Sequence, residues 1–237
     1  MSKDIEMSVS EHLEELRQRI LYSILFFVTA TVLVFFNINF IVEILQRPAL
    51  GVKFLQLAPG EYFFSTVKIS FYCGLIIAFP FVLYQIVLFV LPGLTIKESR
   101  IFVPLLLISF ILFITGLSFA YFILAPAALQ FFITYGSNLV EPLWSFEQYF
   151  DFVLLLLIST GIAFQIPIIQ IILGGLKIVS TSQMLSIWKY IILFSTIIGA
   201  ILTPSTDPIT QILMSSAVLV LYCLGLFILL FIEKLNI

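Results

Sequence analysis

The chain has 237 residues, 62% of them hydrophobic and only 10% charged, with a net charge of −2. Soluble domains carry about 25% charged residues, and a fold of this size keeps an outer surface too large for so few polar side chains to cover. The solvent for that surface is therefore lipid. No basic stripe is present, which excludes nucleic acid as a partner. A single histidine, His12, excludes His-based metal clusters, and no cofactor is expected. Cys73 and Cys223 both lie in apolar runs and read as small buried hydrophobes.

Residues 1–19 hold the densest run of charge. They are rich in acids and do not resemble an organelle transit peptide. Ser8 with Glu11 has the spacing of a capping box. Val9, Leu13, Leu16 and Ile20 recur on one helical face. Glu15 and Arg19 fall at i,i+4 with the acid first, the favourable order. An amphipathic helix is therefore expected to begin near Ser8 and run on into the first membrane span.

A bilayer core about 30 Å thick needs about 20 apolar residues per span. Six segments qualify, at about 20–41, 67–90, 102–124, 149–173, 187–202 and 208–231, and they make one membrane domain over 1–237. The fifth is short. Pro80 and Pro167 fall inside spans and are expected to kink them, whereas Pro104 reads as a first-turn proline. Gly116 and Gly161 point to curved helices.

Orientation follows from Lys and Arg. With the N-terminus inside, the inner segments hold Lys3, Arg17, Arg19, Lys97, Arg100, Lys177, Lys189 and Lys234; the outer ones hold Arg47, Lys53 and Lys68. Both termini are therefore expected on the cis side. Loops at about 42–66 and 125–148 are expected to form a trans cap. Trp144, Tyr149, Trp188 and Tyr190 suit the interfacial aromatic belts.

Few polar residues stand out. Thr95 and Glu98 have capping-box spacing, and the topology also puts Glu98 on the same face as Glu11, Glu14 and Glu15. Paired carboxylates at a lipid boundary suit guanidinium groups, which match a carboxylate bidentately. One exposed pair contributes only about 0.2–1 kcal/mol, so a ligand held here also needs an apolar stretch along the spans. A basic pair followed by an apolar run describes an export signal peptide. Gln165, beside Pro167, reads either as a functional polar group in lipid or as a partner of a neighbouring helix. Asp207 reads as an Asx-type cap on the last helix. No span has an ionised residue at its centre, which argues against a proton-relay pump.

Several stretches together carry a resemblance. They are His12-Leu13-Glu14-Glu15-Leu16-Arg17-Gln18-Arg19, Pro48, Phe79-Pro80-Phe81-Val82-Leu83-Tyr84-Gln85, Phe89 through Glu98, Phe119-Ala120-Tyr121-Phe122, and Leu202-Thr203-Pro204 to Gln211. In this order and spacing the chain closely resembles the TatC family, the multi-span core of the twin-arginine protein translocase, along nearly its whole length. The resemblance implies an all-α integral membrane protein with six transmembrane helices in a curved, glove-like bundle. It implies a non-enzymatic receptor for twin-arginine signal peptides, exporting folded cargo with the proton-motive force.

The family's signal-binding glutamates correspond to Glu15 and Glu98, with support from Arg17, Arg19 and Phe89. Pro48, Tyr121, Gln165 and Asp207 fall to structural or partner roles. TatA- and TatB-type single-span proteins, membrane lipid and further copies of the chain are the implied partners. Gln165 stands where many bacterial members have glutamate, and a neutral amide cannot titrate there. The run from Val52 to Phe64 looks like that of cyanobacterial and plastid members, so a plastid thylakoid is favoured over a bacterial membrane. The alternatives from other classes are a small-solute carrier using Gln165 and a passive membrane scaffold.

Overall fold

The computed structural model describes residues 9–49, 51–93, 96–136, 143–202 and 207–234; the side chains of 9, 96–103, 198, 201–202 and 232 lie outside that description. The chain begins with α1, Val9–Phe36. No proline or glycine interrupts it, and its hydroxyls bond back into the helix. Ser23, Thr29 and Thr31 donate to the carbonyls of Arg19, Leu25 and Phe27 at 2.8–2.9 Å. That keeps polar groups satisfied on a helix most of whose side chains face outward.

The first apolar segment, expected to run to about 41, ends at Phe36. Asn37 turns the chain with φ −110° and ψ 24°, and its amide nitrogen donates to the Leu33 carbonyl at 2.9 Å. A separate helix, α2 (Ile38–Gln46), then buries Val42 and Leu45. A 3₁₀ turn over Arg47–Ala49 follows, and then a short strand, β1 (Lys53–Leu55).

The second long helix, α3, covers Glu61–Val90, six residues ahead of its expected start. It runs on through Pro80 to Val90. The third apolar segment forms α4 (Ile96–Phe119), a π turn over Ala120–Leu124, and α5 (Ala125–Gly136). Much of the expected second cap loop is therefore helical. Pro104 lies well inside α4 rather than in its first turn, a correction to the sequence reading. Thr95, the expected N-cap, lies outside the described residues, as does Ser8 of the first capping box.

Strand β2 (Leu143–Ser145) pairs in parallel with β1, placing Phe54 opposite Trp144. The fourth apolar segment splits into α6 (Phe146–Ala163) and α7 (Ile166–Gly175). The expected kink at Pro167 is thus a break at Phe164–Gln165. Pro167 sits at the start of α7, where its missing N–H costs nothing. A short α8 (Thr181–Ser186) with a complete capping box leads to α9 (Trp188–Leu202) and α10 (Pro208–Lys234). Among the described residues, five helical stretches are long and apolar enough to cross a membrane, α4–α5 and α6–α7 each counting as one, and the apolar run of α9 is shorter. This is an all-α integral-membrane architecture.

The α6–α7 unit lies at its centre. In its apolar window 67% of residues are buried, against 11% for α1. Phe150, Val153, Leu154 and Leu156 pack there with Leu124 and Met214. Close crossings need glycine at defined points. A Cβ at Gly161 would stand 2.7 Å from the Phe113 ring, and one at Gly116 2.8 Å from Phe164. These glycines seat aromatic rings between α4 and the α6–α7 unit, a packing role where the sequence pointed to curvature. Cys73 is half-buried, but Cys223 is exposed, contrary to its reading as a buried hydrophobe.

Candidate functional site

The N-terminal part of α1 packs against the C-terminal part of α3. His12 stacks on Phe89, with ring centroids 4.3 Å apart and planes 18° from parallel. One helical turn later Glu15 and Arg19 pair, Arg19 Nη2 donating to Glu15 Oε1 at 2.8 Å. Arg19 also reaches across to α3, where its Nη1 donates to Gln85 Oε1 at 3.1 Å. Gln85 is buried. The second oxygen of Glu15, Oε2, is enclosed and has no hydrogen-bond partner among the described residues.

Beside this chain of contacts runs an open groove of about 420 Å³, lined by Glu11, Glu14, Glu15, Gln18, Arg19 and Tyr22. Arg17 stands apart. It is exposed and donates to Glu14 at 2.9 Å, an i,i+3 pair. Glu98 lies in the first turns of α4, which begins shortly after Phe89 ends the α1-facing part of α3; its side chain is outside the described residues. The structure thus brings Glu15, Arg19 and Phe89 together and leaves Arg17 outward. Gln85 was missed as a site member. Its one signal was a lone amide near the end of an apolar span.

The other selected residues lie elsewhere. Pro48 has no N–H, so the Ile44 carbonyl loses its helical donor. The Arg47 N–H and the Tyr121 hydroxyl donate to that carbonyl instead, the latter at 2.7 Å. Tyr149 donates to the next carbonyl, Leu45, at 2.6 Å. Tyr149 is buried and pins the end of α2, in place of the interfacial anchoring that its position near a span end predicts. Trp188 and Tyr190 are exposed.

Gln165 is buried and uses both ends of its amide on one residue of α4. Ser109 Oγ donates to its Oε1, and its Nε2 donates to the Ser109 carbonyl at 3.2 Å. Gln165→Leu is expected to cost about 1–2 kcal/mol, and adding Ser109→Ala to recover part of it, because removing one buried partner is dearer than removing both. Thermal unfolding of the single and double variants in detergent checks this. Asp207 caps α10: the Thr210 N–H donates to Oδ2 at 2.8 Å and the Thr210 hydroxyl to Oδ1 at 2.5 Å.

The sequence reading also missed Glu61, at the opposite end of α3 from Gln85. Its buried carboxylate accepts the N–H groups of Leu57 (2.5 Å), Ala58 (3.0 Å) and Glu147 (3.2 Å) and the hydroxyl of Ser145 (2.8 Å). It fastens both sides of the cap to one helix start. Lys68 adds bonds to Glu147 at 2.5 Å and Asp151 at 3.0 Å. Only the tertiary fold reveals this role, because Glu61 in sequence is one acid in a loop.

The family described as Sec-independent protein translocase protein (TatC) matches residues 11–216. The chain belongs to the TatC family. It is 64% identical over 231 residues to a TatC-like protein, ycf43, of Pyropia yezoensis, covering 98% of this chain and 91% of that protein. The Sec-independent protein translocase protein TatC of Synechocystis is 55% identical over 223 residues, 94% of this chain and 88% of its own length. A crystal structure of a twin-arginine translocase receptor, TatC, superposes with a TM-score of 0.80 at 39% identity, over 92% of this chain and 98% of that one. As a TatC protein the chain is a multi-pass translocase component and not an enzyme.

Proposed function

We propose that this TatC protein is the signal-peptide receptor and core of a twin-arginine translocase, with Glu15 as a primary contact for the signal's arginines. The observation that carries the proposal is the state of Glu15. One carboxylate oxygen is held by Arg19, and the other is enclosed without a donor beside an open groove. An unfilled charged acceptor costs about 1–3 kcal/mol, which an incoming guanidinium recovers. Glu98, at the start of α4, is the second proposed carboxylate. Phe89, stacked on His12, supplies an apolar shelf beside them. The apolar part of a signal peptide then lies along the outward faces of the spans.

In this reading the chain has six spans with both termini on the cis side, which the distribution of Lys and Arg supports. Its membrane is a thylakoid, in keeping with the algal and cyanobacterial relatives. It works with TatA- and TatB-type single-span proteins and further copies of itself, and moves folded cargo with the proton-motive force. A solute carrier built on Gln165 is disfavoured, since Ser109 occupies that amide.

Photocrosslinking from positions flanking Glu15 and Glu98 to a radiolabelled twin-arginine peptide tests the proposal. Glu15→Ala or Glu98→Gln is expected to lower the crosslinking yield about tenfold, the equivalent of roughly 1.4 kcal/mol. A twin-lysine peptide is expected to crosslink weakly already in the parent. Undiminished yield in both variants would overturn the assignment.

A further inference from the structure

We propose that Gln85 is a positioning residue of the signal site, setting how much of Glu15 is left without a donor for an arriving arginine. The inference rests on the reading of Glu15 as a signal-binding carboxylate. It starts from the way Arg19 divides its guanidinium. Arginine facing a carboxylate tends to use both terminal nitrogens on both oxygens. Here Nη2 reaches Glu15 Oε1, while Nη1 is turned away to Gln85 Oε1, 3.1 Å off on another helix. Glu15 Oε2 is left without a donor.

Gln85 suits this task. It is 7% exposed, so its carbonyl is fixed by the packing of α1 on α3. It is neutral, so it draws one nitrogen of Arg19 without competing with Glu15 for the whole charge. The outcome is a resident arginine and an enclosed oxygen without a donor on the same carboxylate. An incoming guanidinium that parts the packing over Oε2 can take it without evicting Arg19. If Arg19 were released from Gln85, its second nitrogen would close over Oε2 and fill the acceptor.

The two natural replacements at position 85 therefore act in opposite directions. Gln85→Met keeps length and removes the acceptor, so Arg19 turns both nitrogens onto Glu15 and shuts the site. Gln85→Glu draws Arg19 toward α3 and frees more of Glu15 for a bidentate arginine. The new charge also attracts any cationic peptide, so the readout is the ratio of affinities for twin-arginine and twin-lysine signal peptides. A lysine ammonium cannot exploit a second unfilled oxygen as a fork does.

Binding is measured on the full chain in nanodiscs by fluorescence anisotropy, with Glu15→Gln in parallel. The arginine-to-lysine ratio is expected to fall about fivefold in Gln85→Met and to rise in Gln85→Glu, a change on the scale of one charge-assisted hydrogen bond. A ratio that is unchanged, or that moves the same way in both variants, overturns the role of Gln85 while leaving the site itself standing. Parental binding by Glu15→Gln would instead remove the site, and Gln85 with it. Should Gln85→Met fail to yield folded protein, the direction of the ratio in Gln85→Glu decides alone, since that variant keeps an acceptor for Arg19.

Discussion

Glu61→Leu is expected to open the cap and to cost the protein of order 3 kcal/mol or more. The leucine leaves the N–H groups of Leu57, Ala58 and Glu147, and the Ser145 hydroxyl, without their shared acceptor. Each hydrogen bond to a charged group contributes about 1.5–3 kcal/mol, and water reaching the loosened cap recovers part of that. The damage concentrates at one end of the bundle, because these donors come from the turn before α3 and from the β2–α6 junction. Lys68, bonded to Glu147 and Asp151, still ties α3 to α6. Limited proteolysis should therefore cut first between 50 and 60, before the helices melt. Glu61→Gln should fall between parent and leucine, since it keeps one acceptor oxygen and turns an amide toward donors. A proteolysis pattern in Glu61→Leu identical to the parent's would show that the cap is held by its apolar contacts instead.

The second large effect is at the crossing of α1 and α3. A Cβ on Gly74 would stand 2.9 Å from the Thr31 Cα and closer still to its hydroxyl. The first of these is backbone and cannot rotate away. Gly74→Ala should therefore destabilise by about 1–3 kcal/mol, although alanine in a helix interior ordinarily gains close to 1 kcal/mol over glycine. In lipid this matters doubly, since close approach of small residues is a main source of helix association. The same crossing sets the distance between Arg19 and Gln85, so peptide binding should weaken together with stability. Adding Thr31→Gly should restore both in part, by removing the side chain that the new methyl meets. Thermal unfolding in detergent reads the first effect and peptide anisotropy the second. A Gly74→Ala protein as stable as the parent would mean that α1 shifts along α3 at no cost.

Nothing in the residues around Glu61 marks it as a fastener. Its four partners lie three to four residues before it in sequence and more than eighty residues after it, and only the pairing of β1 with β2 brings the two groups together. Gly74 likewise looks like any small residue in an apolar run until Thr31 is placed beside it.

By itself the sequence determined the solvent, the class and the family. Apolar runs of about span length, cut by Asn, Pro and Gly clusters, allow only membrane helices, because backbone polar groups in lipid must be satisfied within the segment. It also determined local contacts, such as the Glu15–Arg19 pair and the Asp207 cap, since these depend on spacings within one or two turns. The tertiary structure decided what depends on neighbours distant in the chain. Apolarity alone cannot end a helix, so the first span stops at Asn37 and the third apolar segment carries helix on to Gly136. Gln165 took a structural partner because Ser109 of α4 faces it. Tyr121 and Tyr149 became pins for α2 because Pro48 removes a donor and the π turn and α6 bring their hydroxyls there. At the proposed signal site the sequence named Glu15. Only the approach of α3 showed that Arg19 is shared with Gln85 and that one oxygen of Glu15 remains to be filled.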